Sequence, residues 1–207
     1  MKFRNKIAAF GLAETTLVVV LSDHGEEFGE HDGFEHNALW DEILRVPLII
    51  RVPQSVRPGW RTKRIAASVG LVDVLPTLLE IMGVPVPGHL QGHSLIPLVE
   101  TDAPGRPWLF AQYRLYGDIA LRSGTWKLLR RRGKEQLFDL DDDPDEHRDV
   151  SPDHPEMQRA GTEHIDGVLS ASRAYWALAR ESESAEIDSQ NRKRLEALGY
   201  LDDGAGK

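Results

Sequence analysis

Residues 16–31 read TLVVVLSDHGEEFGEH, an apolar run that ends abruptly at Ser22, Asp23, His24 and Gly25. A continuous β-branched run such as 16–21 is typical of a strand buried on both faces of a parallel sheet. At the carboxyl end of such a strand, side chains reach the crevice where α/β proteins bind ligands. Aspartate supplies an oxygen donor and histidine a nitrogen donor, so Asp23 and His24 could bind one divalent cation. Gly25 would let the backbone turn away at once.

Histidines are concentrated just after this strand. His24, His31 and His36 lie within thirteen residues and are three of the eight histidines in the chain. An isolated Asp-His-Gly is more often a helix cap beside an exposed histidine, but this concentration favours a ligand site. Three acidic residues are interpreted instead as the first turn of a helix or a solvated face: Glu26, Glu27 and Glu30.

The first half of the chain has the pattern of an α/β layer. A helix is predicted to end at Gly11, before the first strand, and a second buried strand is predicted over 45–52, after a short helix at 37–44. Residues 73–83 predict a helix with Asp73 as N-cap, Pro76 in the first turn and Gly83 just beyond the end. The apolar face of that helix would consist of Leu75, Leu78, Leu79 and Met82. Residues 84–105 are rich in proline and glycine and predict a linker or surface loop.

The second half of the chain has a different residue pattern. Short alternating segments at 108–113, 119–122, 126–130 and 136–140 are separated by turn residues and predict an antiparallel meander. Helices are predicted at 153–180 and 187–198. The expected fold class is therefore an α/β domain followed by a small antiparallel sheet with C-terminal helices. We place the domain boundary between residues 1–105 and 106–207.

Two charged segments lie in this second half. The basic run 127–134 alternates with apolar residues, so Lys127 is expected on the exposed side of a strand, with Trp126 and Lys127 as weaker pocket residues. The acidic run 139–146 is expected to be a solvated turn, because the spacing of an EF-hand calcium loop is not met.

Composition excludes several classes of protein. The net charge of −8 argues against nucleic acid as a partner, because a polyanion would be repelled. The absence of cysteine excludes disulfides and any cysteine-derived nucleophile within these 207 residues. No apolar stretch reaches the roughly 18 residues that a membrane span requires.

Residues 15–53, TTLVVVLSDHGEEFGEHDGFEHNALWDEILRVPLIIRVP, resemble the segment of sulfatases that carries the second half of their metal and sulfate site. The resemblance continues through VGLVDVLPTLLEIMGVPVPGHLQGHSLIPLV at 69–99 and ALRSGTWKLLRR at 120–131. It extends further into EQLFDLDDDPDEHRDV at 135–150 and RKRLEALGYL at 192–201. It implies an alkaline-phosphatase-like fold and the hydrolysis of sulfate esters, either small molecules or glycans.

The resemblance also implies roles for individual residues. Asp23 and His24 match a metal-ligand pair, and the expected ion is Ca²⁺. Because many sulfatases have asparagine where this chain has His24, Mn²⁺ or Zn²⁺ is also admitted. His36 matches a position that contacts the sulfate and leaving-group oxygens, and His31 is a second possible catalytic histidine. Arg45 is expected to anchor Asp41 or Glu42.

The resemblance also leaves parts of the site unaccounted for. The family's formylglycine nucleophile derives from a cysteine in an upstream motif, and its early aspartate pair also lies upstream. The expectation is a C-terminal part of a sulfatase that is inactive alone and whose partner is the N-terminal half. Two alternatives stay open: a phosphonate monoester or phosphodiester hydrolase of the same superfamily, and a non-catalytic remnant.

Overall fold

The structure is a computed structural model that describes residues 2–113 and 117–179. The helices are Lys2–Ala9 (α1), Asp41–Leu44 (α2), Val74–Ile81 (α3), Ile96–Glu100 (α4) and Pro155–Ala179 (α5). The first four strands are Val18–Leu21 (β1), Glu27–Phe28 (β2), Phe34–Glu35 (β3) and Leu48–Arg51 (β4). The remaining strands are Leu109–Tyr113 (β5), Asp118–Ser123 (β6), Trp126–Arg131 (β7) and Lys134–Asp139 (β8).

This element order confirms the predicted fold class, an α/β layer followed by an antiparallel sheet. The described residues up to Ile165 belong to one compact unit, and those from Asp166 onward belong to another. The proposed domain boundary at residue 105 stays a prediction. The helix predicted at 153–180 is present as α5, whereas the one predicted at 187–198 lies outside the described residues. None of the helices in the described part of the chain combines the length and apolarity that crossing a membrane requires.

The four strands β5, β6, β7 and β8 form the predicted antiparallel meander in chain order. The β7–β8 turn is closed by Arg132 and Gly133, which have φ angles of 49° and 77°. Two successive positive φ angles are typical of the type I′ turn, whose twist matches that of a hairpin. The register places Leu128 between Leu121 and Leu137, so a row of buried leucines crosses three strands.

The segment around α2 packs against this sheet. Ala38, Leu39, Trp40 and Ile43 form one buried cluster with residues of the sheet and the turn after it: Ala120, Leu129, Phe138 and Leu140. The rings of Trp40 and Phe138 meet edge to face, with centroids 5.8 Å apart, the geometry that aromatic quadrupoles favour. The core therefore ties the histidine-rich segment to the C-terminal sheet.

The strands β1 and β4 correct one expectation. They pair antiparallel, with Val20 opposite Ile49, rather than parallel. Val20 is 53% exposed and Ile49 is 61% exposed, so they are not buried on both faces. In this structure β1 and β4 form a two-stranded sheet with one another, and the described residues leave part of its apolar surface uncovered.

The helix predicted at 73–83 is present as a 3₁₀ turn, Leu71–Asp73, followed by α3. Gly83 has a φ of 71° and ends the helix as predicted. The predicted apolar face is wrong in part, because Leu75 and Met82 are exposed, whereas Pro76, Thr77 and Ile81 are buried.

The surroundings of α3 also differ from expectation. The carboxylate of Asp73 does not cap α3; it accepts hydrogen bonds from the backbone N–H groups of Gly70 and His93 and from Arg106. The region 84–105 is not all loop, since it contains α4, whose Ile96 and Leu98 are buried. The proline and glycine content concealed this short helix because Pro97 lies in its first turn, where a missing N–H is tolerated.

Candidate metal and sulfate site

The turn after β1 is fixed by contacts of its backbone. The Gly25 N–H donates to the Ile43 carbonyl over 2.7 Å. A Cβ at residue 25 would lie 1.9 Å from the Glu42 carbonyl oxygen, so only glycine fits beside the end of α2. The Ser22 hydroxyl donates to the His24 carbonyl over 2.6 Å and closes the turn on the other side.

Asp23 and His24 have the geometry of neighbouring ligands. The carboxylate Oδ2 of Asp23 lies 3.8 Å from Nε2 of His24. Nδ1 of His24 lies 2.8 Å from the Gly25 carbonyl oxygen. Since a carbonyl can only accept, Nδ1 carries the proton, and in the neutral imidazole Nε2 keeps its lone pair. Hydrogen bonds from the backbone N–H groups of His24 and Asp23 hold the pKa of the Asp23 carboxyl below its usual range.

His36 lies against His24. Their rings stack with centroids 4.1 Å apart, and Nδ1 of His36 is 3.6 Å from Oε2 of Glu26. One donor atom each from His24, Glu26 and His36 lies within 4.8 Å of the others. The structure thus brings together the predicted residues His24 and His36. The sequence interpretation missed Glu26, which was assigned to a helix or solvated face; its position between two histidines was the available signal.

The segment 26–30 also differs from the expected helix turn. Glu27 and Phe28 form β2, which pairs with β3. Glu27 is buried, and its Oε1 accepts the backbone N–H of His31 over 3.1 Å. The same carboxylate fills the space beside Gly33, where a Cβ would approach Oε1 within 2.8 Å.

His31 lies in a different cluster from His24 and His36. Its ring stacks on Trp40 with centroids 3.9 Å apart, and its side chain is only 8% exposed. Nε2 of His31 is 3.7 Å from Oε1 of Glu42. Burial lowers the pKa of His31, although the carboxylates of Glu42 and Glu27 oppose that shift. Its predicted role as a second catalytic histidine stays a prediction.

An ion-pair network joins α2 to the sheet. Lys127 was expected to be exposed, but its side chain is 1% exposed and its Nζ lies 3.1 Å from Asp41 and 2.6 Å from Glu146. Glu146, expected in a solvated turn, is also buried, and its Oε2 accepts the backbone N–H of Asp41 over 2.7 Å. Arg122, rather than the expected Arg45, joins Lys127 in binding the Asp41 carboxylate.

Comparison with known proteins identifies the family. The family model described as "N-sulphoglucosamine sulphohydrolase, C-terminal" matches residues 29–166, more than half of the chain. The chain belongs to the sulfatase family. It is 30% identical over 176 residues to arylsulfatase K of Rattus norvegicus, an alignment that covers 77% of this chain and 30% of that protein. The chain therefore spans about a third or less of the length of such curated sulfatase relatives.

Solved structures agree with the sulfatase assignment. BT4656, solved in complex with its substrate D-glucosamine-2-N,6-O-disulfate, matches with a TM-score of 0.68 and 25% identity over 82% of this chain and 37% of that one. The phosphonate monoester hydrolase of Agrobacterium radiobacter matches with a TM-score of 0.69 and 23% identity, over 82% of this chain and 38% of that one. The likeness to the phosphonate monoester hydrolase shows that this chain shares its fold.

The sulfatase fold implies a divalent metal, and the residues after β1 fit part of its coordination shell. Ligand distances near 2.0–2.4 Å allow one ion to bridge donor atoms that are 3.8 Å apart, the separation of Asp23 Oδ2 and His24 Nε2. The Gly25 carbonyl that accepts from Nδ1 is the kind of outer partner that fixes a ligating imidazole. Asp23 is also 85% exposed, so its oxygens are open to an incoming ion.

Proposed function

We propose that this chain forms part of the active site of a sulfuric ester hydrolase. In this proposal, Asp23 and His24 bind a divalent cation, and His36 contacts the sulfate ester. The observation that carries the proposal is the juxtaposition after β1: an exposed carboxylate, an imidazole whose tautomer leaves Nε2 free, and a second imidazole stacked 4.1 Å away. Membership of the sulfatase family supports it.

Each side chain has a distinct task in this proposal. The bound cation would act as a Lewis acid toward a sulfate oxygen. His36 would donate an N–H to the oxygen on which charge develops as the ester bond breaks. Glu26, whose Oε2 lies 3.6 Å from Nδ1 of His36, would orient that imidazole. His31 is proposed to contribute by position, because its stacking on Trp40 fixes the segment that leads to His36.

The proposed metal is Ca²⁺, the ion expected from the family resemblance. The nitrogen of His24 introduces a competing argument, because imidazole suits Mn²⁺ or Zn²⁺ better than Ca²⁺. Titration of the chain with each of the three ions would decide the matter. Tighter binding of Zn²⁺ or Mn²⁺ than of Ca²⁺ at this site would contradict the choice of Ca²⁺ and would assign the preference to the nitrogen of His24.

We further propose that turnover requires an N-terminal sulfatase part. No cysteine is present in the 207 residues to become formylglycine, and the curated relatives are roughly three times longer than their aligned part. The exposed apolar surface of β1 and β4, with Val20 and Ile49, is the proposed contact for that part. Burying such surface would contribute about 25 cal/mol per Å².

The test compares the purified 207-residue chain with a polypeptide that also carries an N-terminal sulfatase part. Only the longer polypeptide is expected to hydrolyse an aryl sulfate or a sulfated glucosamine. In it, His36→Ala should lower kcat by about 100-fold or more. Exposed His89, outside the cluster, provides the matched control His89→Ala. Steady aryl sulfate hydrolysis by the 207-residue chain, abolished by Asp23→Ala, would refute the requirement for an N-terminal part.

Phosphonate monoesters or phosphodiesters are the second candidate substrates, since phosphonate monoester hydrolases share the fold. The ratio of kcat/KM for an aryl sulfate and an aryl phosphonate separates these activities. A non-catalytic remnant predicts something different: no binding of Ca²⁺, Mn²⁺ or Zn²⁺ that depends on Asp23 and His24.

A further inference from the structure

A second cluster of ligand-type side chains lies around His31. One donor atom from each of His31, Glu42 and Glu146 lies within 4.8 Å of the others. We call these three residues the His31 cluster. They come from the loop between β2 and β3, from α2 and from the turn after β8, so the cluster joins segments far apart in the sequence. None of its members belongs to the set formed by Asp23, His24 and His36.

Two polar atoms of the His31 cluster are buried without a hydrogen-bond partner. They are Nε2 of His31 and Oε2 of Glu42, whereas the buried Oε1 of Glu146 has the Lys127 ammonium 2.6 Å away. The side chain of Glu146 is fully buried and that of His31 nearly so. Buried polar atoms in native proteins almost always have a partner, and an unsatisfied one costs about 1–3 kcal/mol. Two such atoms beside the buried Glu146 carboxylate indicate a ligand that binds all three side chains.

The charge around the cluster favours a cation. Four carboxylates meet here, those of Glu27, Asp41, Glu42 and Glu146, and within the described residues the Lys and Arg side chains that contact them are Lys127 and Arg122. When all are ionised, the carboxylates exceed these cations by two charges. A divalent ion would neutralise that excess. Burial raises the pKa of the Glu146 carboxyl, a shift that nearby Lys127 opposes and that a bound cation would also oppose.

We propose that the His31 cluster binds a divalent transition metal, with Nε2 of His31 and one oxygen each from Glu42 and Glu146 as ligands. One imidazole and two carboxylates suit Zn²⁺ or Mn²⁺. The stack of His31 on Trp40 fixes the ring that presents Nε2. Lys127 contacts Oε1 of Glu146 at 2.6 Å, but a carboxylate has about four lone-pair positions and can serve both cations.

The metal would have a structural role. It would hold the loop that carries His31 against α2 and the C-terminal sheet, and it would satisfy the two unpartnered atoms, Nε2 of His31 and Oε2 of Glu42. This inference does not depend on sulfatase turnover. Its test can therefore use the 207-residue chain without any substrate.

The test measures Zn²⁺ binding by isothermal titration calorimetry on untagged, chelator-treated protein. The double variant His24→Ala/His36→Ala serves as the starting protein, because it lacks the imidazoles of the site after β1. We expect one Zn²⁺ per chain and a rise in the unfolding temperature on binding. Glu42→Gln or His31→Ala should weaken binding by more than about tenfold, whereas His89→Ala should leave it unchanged.

Glu42→Gln preserves side-chain size and keeps the test decisive if His31→Ala lowers stability. Co²⁺ provides a second readout, since ligand-field bands in the visible spectrum report direct coordination. Absence of Zn²⁺ binding to the double variant would overturn the proposal. Binding that persists at full affinity in both Glu42→Gln and His31→Ala would overturn it as well.

Discussion

Replacing Lys127 by methionine tests whether a buried ion pair holds the histidine-rich segment on the C-terminal sheet. The Lys127 ammonium lies 2.6 Å from Glu146 and 3.1 Å from Asp41, and its side chain is 1% exposed. At an effective dielectric constant of about 20, unit charges about 3 Å apart attract by roughly 5–6 kcal/mol. Desolvation offsets much of this attraction when the pair forms. Removing one partner, however, leaves a buried charge uncompensated, which typically costs about 3–5 kcal/mol.

We therefore expect Lys127→Met to lower the free energy of unfolding by about 3–5 kcal/mol. Urea titration followed by circular dichroism measures this loss, with chelator present so that metal binding does not contribute. Trimethylamine oxide in the buffer favours the compact state and keeps the variant measurable. Lys134→Met is the matched control, because Lys134 is exposed on the adjacent strand β8; its effect should stay within about 0.5 kcal/mol.

A double-mutant cycle sharpens this prediction. Glu146→Gln removes the charge that Lys127→Met leaves behind, so the double variant should be more stable than the sum of the single losses implies. The coupling energy should be about 1 kcal/mol or more. A loss from Lys127→Met of less than about 1 kcal/mol, or strictly additive effects, would refute the assignment of Lys127 as the link between α2 and the sheet.

Three further predictions concern packing. Gly25→Ala should lower the melting temperature far more than Gly88→Ala. A Cβ at residue 25 would lie 1.9 Å from the Glu42 carbonyl oxygen, whereas a Cβ at residue 88 would have no atom within 4 Å. Equal melting temperatures of the two variants would contradict the close approach at residue 25. Phe138→Ala should cost about 3–5 kcal/mol in urea titrations, since Phe138 packs on Trp40 in the core; a loss below about 1 kcal/mol would place it outside the core. Because Ile49 is 61% exposed, we expect the isolated chain to self-associate through the β1–β4 surface and Ile49→Thr to reduce that association in sedimentation velocity; a monomeric parent chain, or equal association of the two proteins, would contradict this expectation.

The elements that were predicted best from the sequence are those that short-range residue patterns specify. The meander over β5–β8 follows from alternating residues and turn signals such as Arg132-Gly133, whose positive φ angles the turn requires. Gly83 likewise marks the end of a helix through its own conformation. Such signals are local, so a single sequence is sufficient to read them.

Predictions that depended on a distant partner were less successful. The expected exposure of Lys127 rested on its place in a basic run, yet its partners lie on α2 and in the turn after β8. Glu146 was assigned to solvent because five other acidic residues in the run 139–146 suggested a solvated turn, but its carboxylate binds the start of α2. A buried ion pair leaves no local pattern, because each residue alone resembles a surface charge.

The same distinction explains how much of the candidate site was visible in the sequence. His24 and His36 could be associated because both follow β1 closely, and the structure stacks their rings. The position of His31 could not be predicted in the same way, because its ring stacks on Trp40 and lies beside Glu42 in the core. Three histidines within thirteen residues thus divide between an accessible pair beside Asp23 and a buried one beside Glu42. Proximity in the sequence identified the segment that is rich in possible metal ligands. Burial, which the sequence does not show, determines which of the two candidate metal sites each imidazole can join.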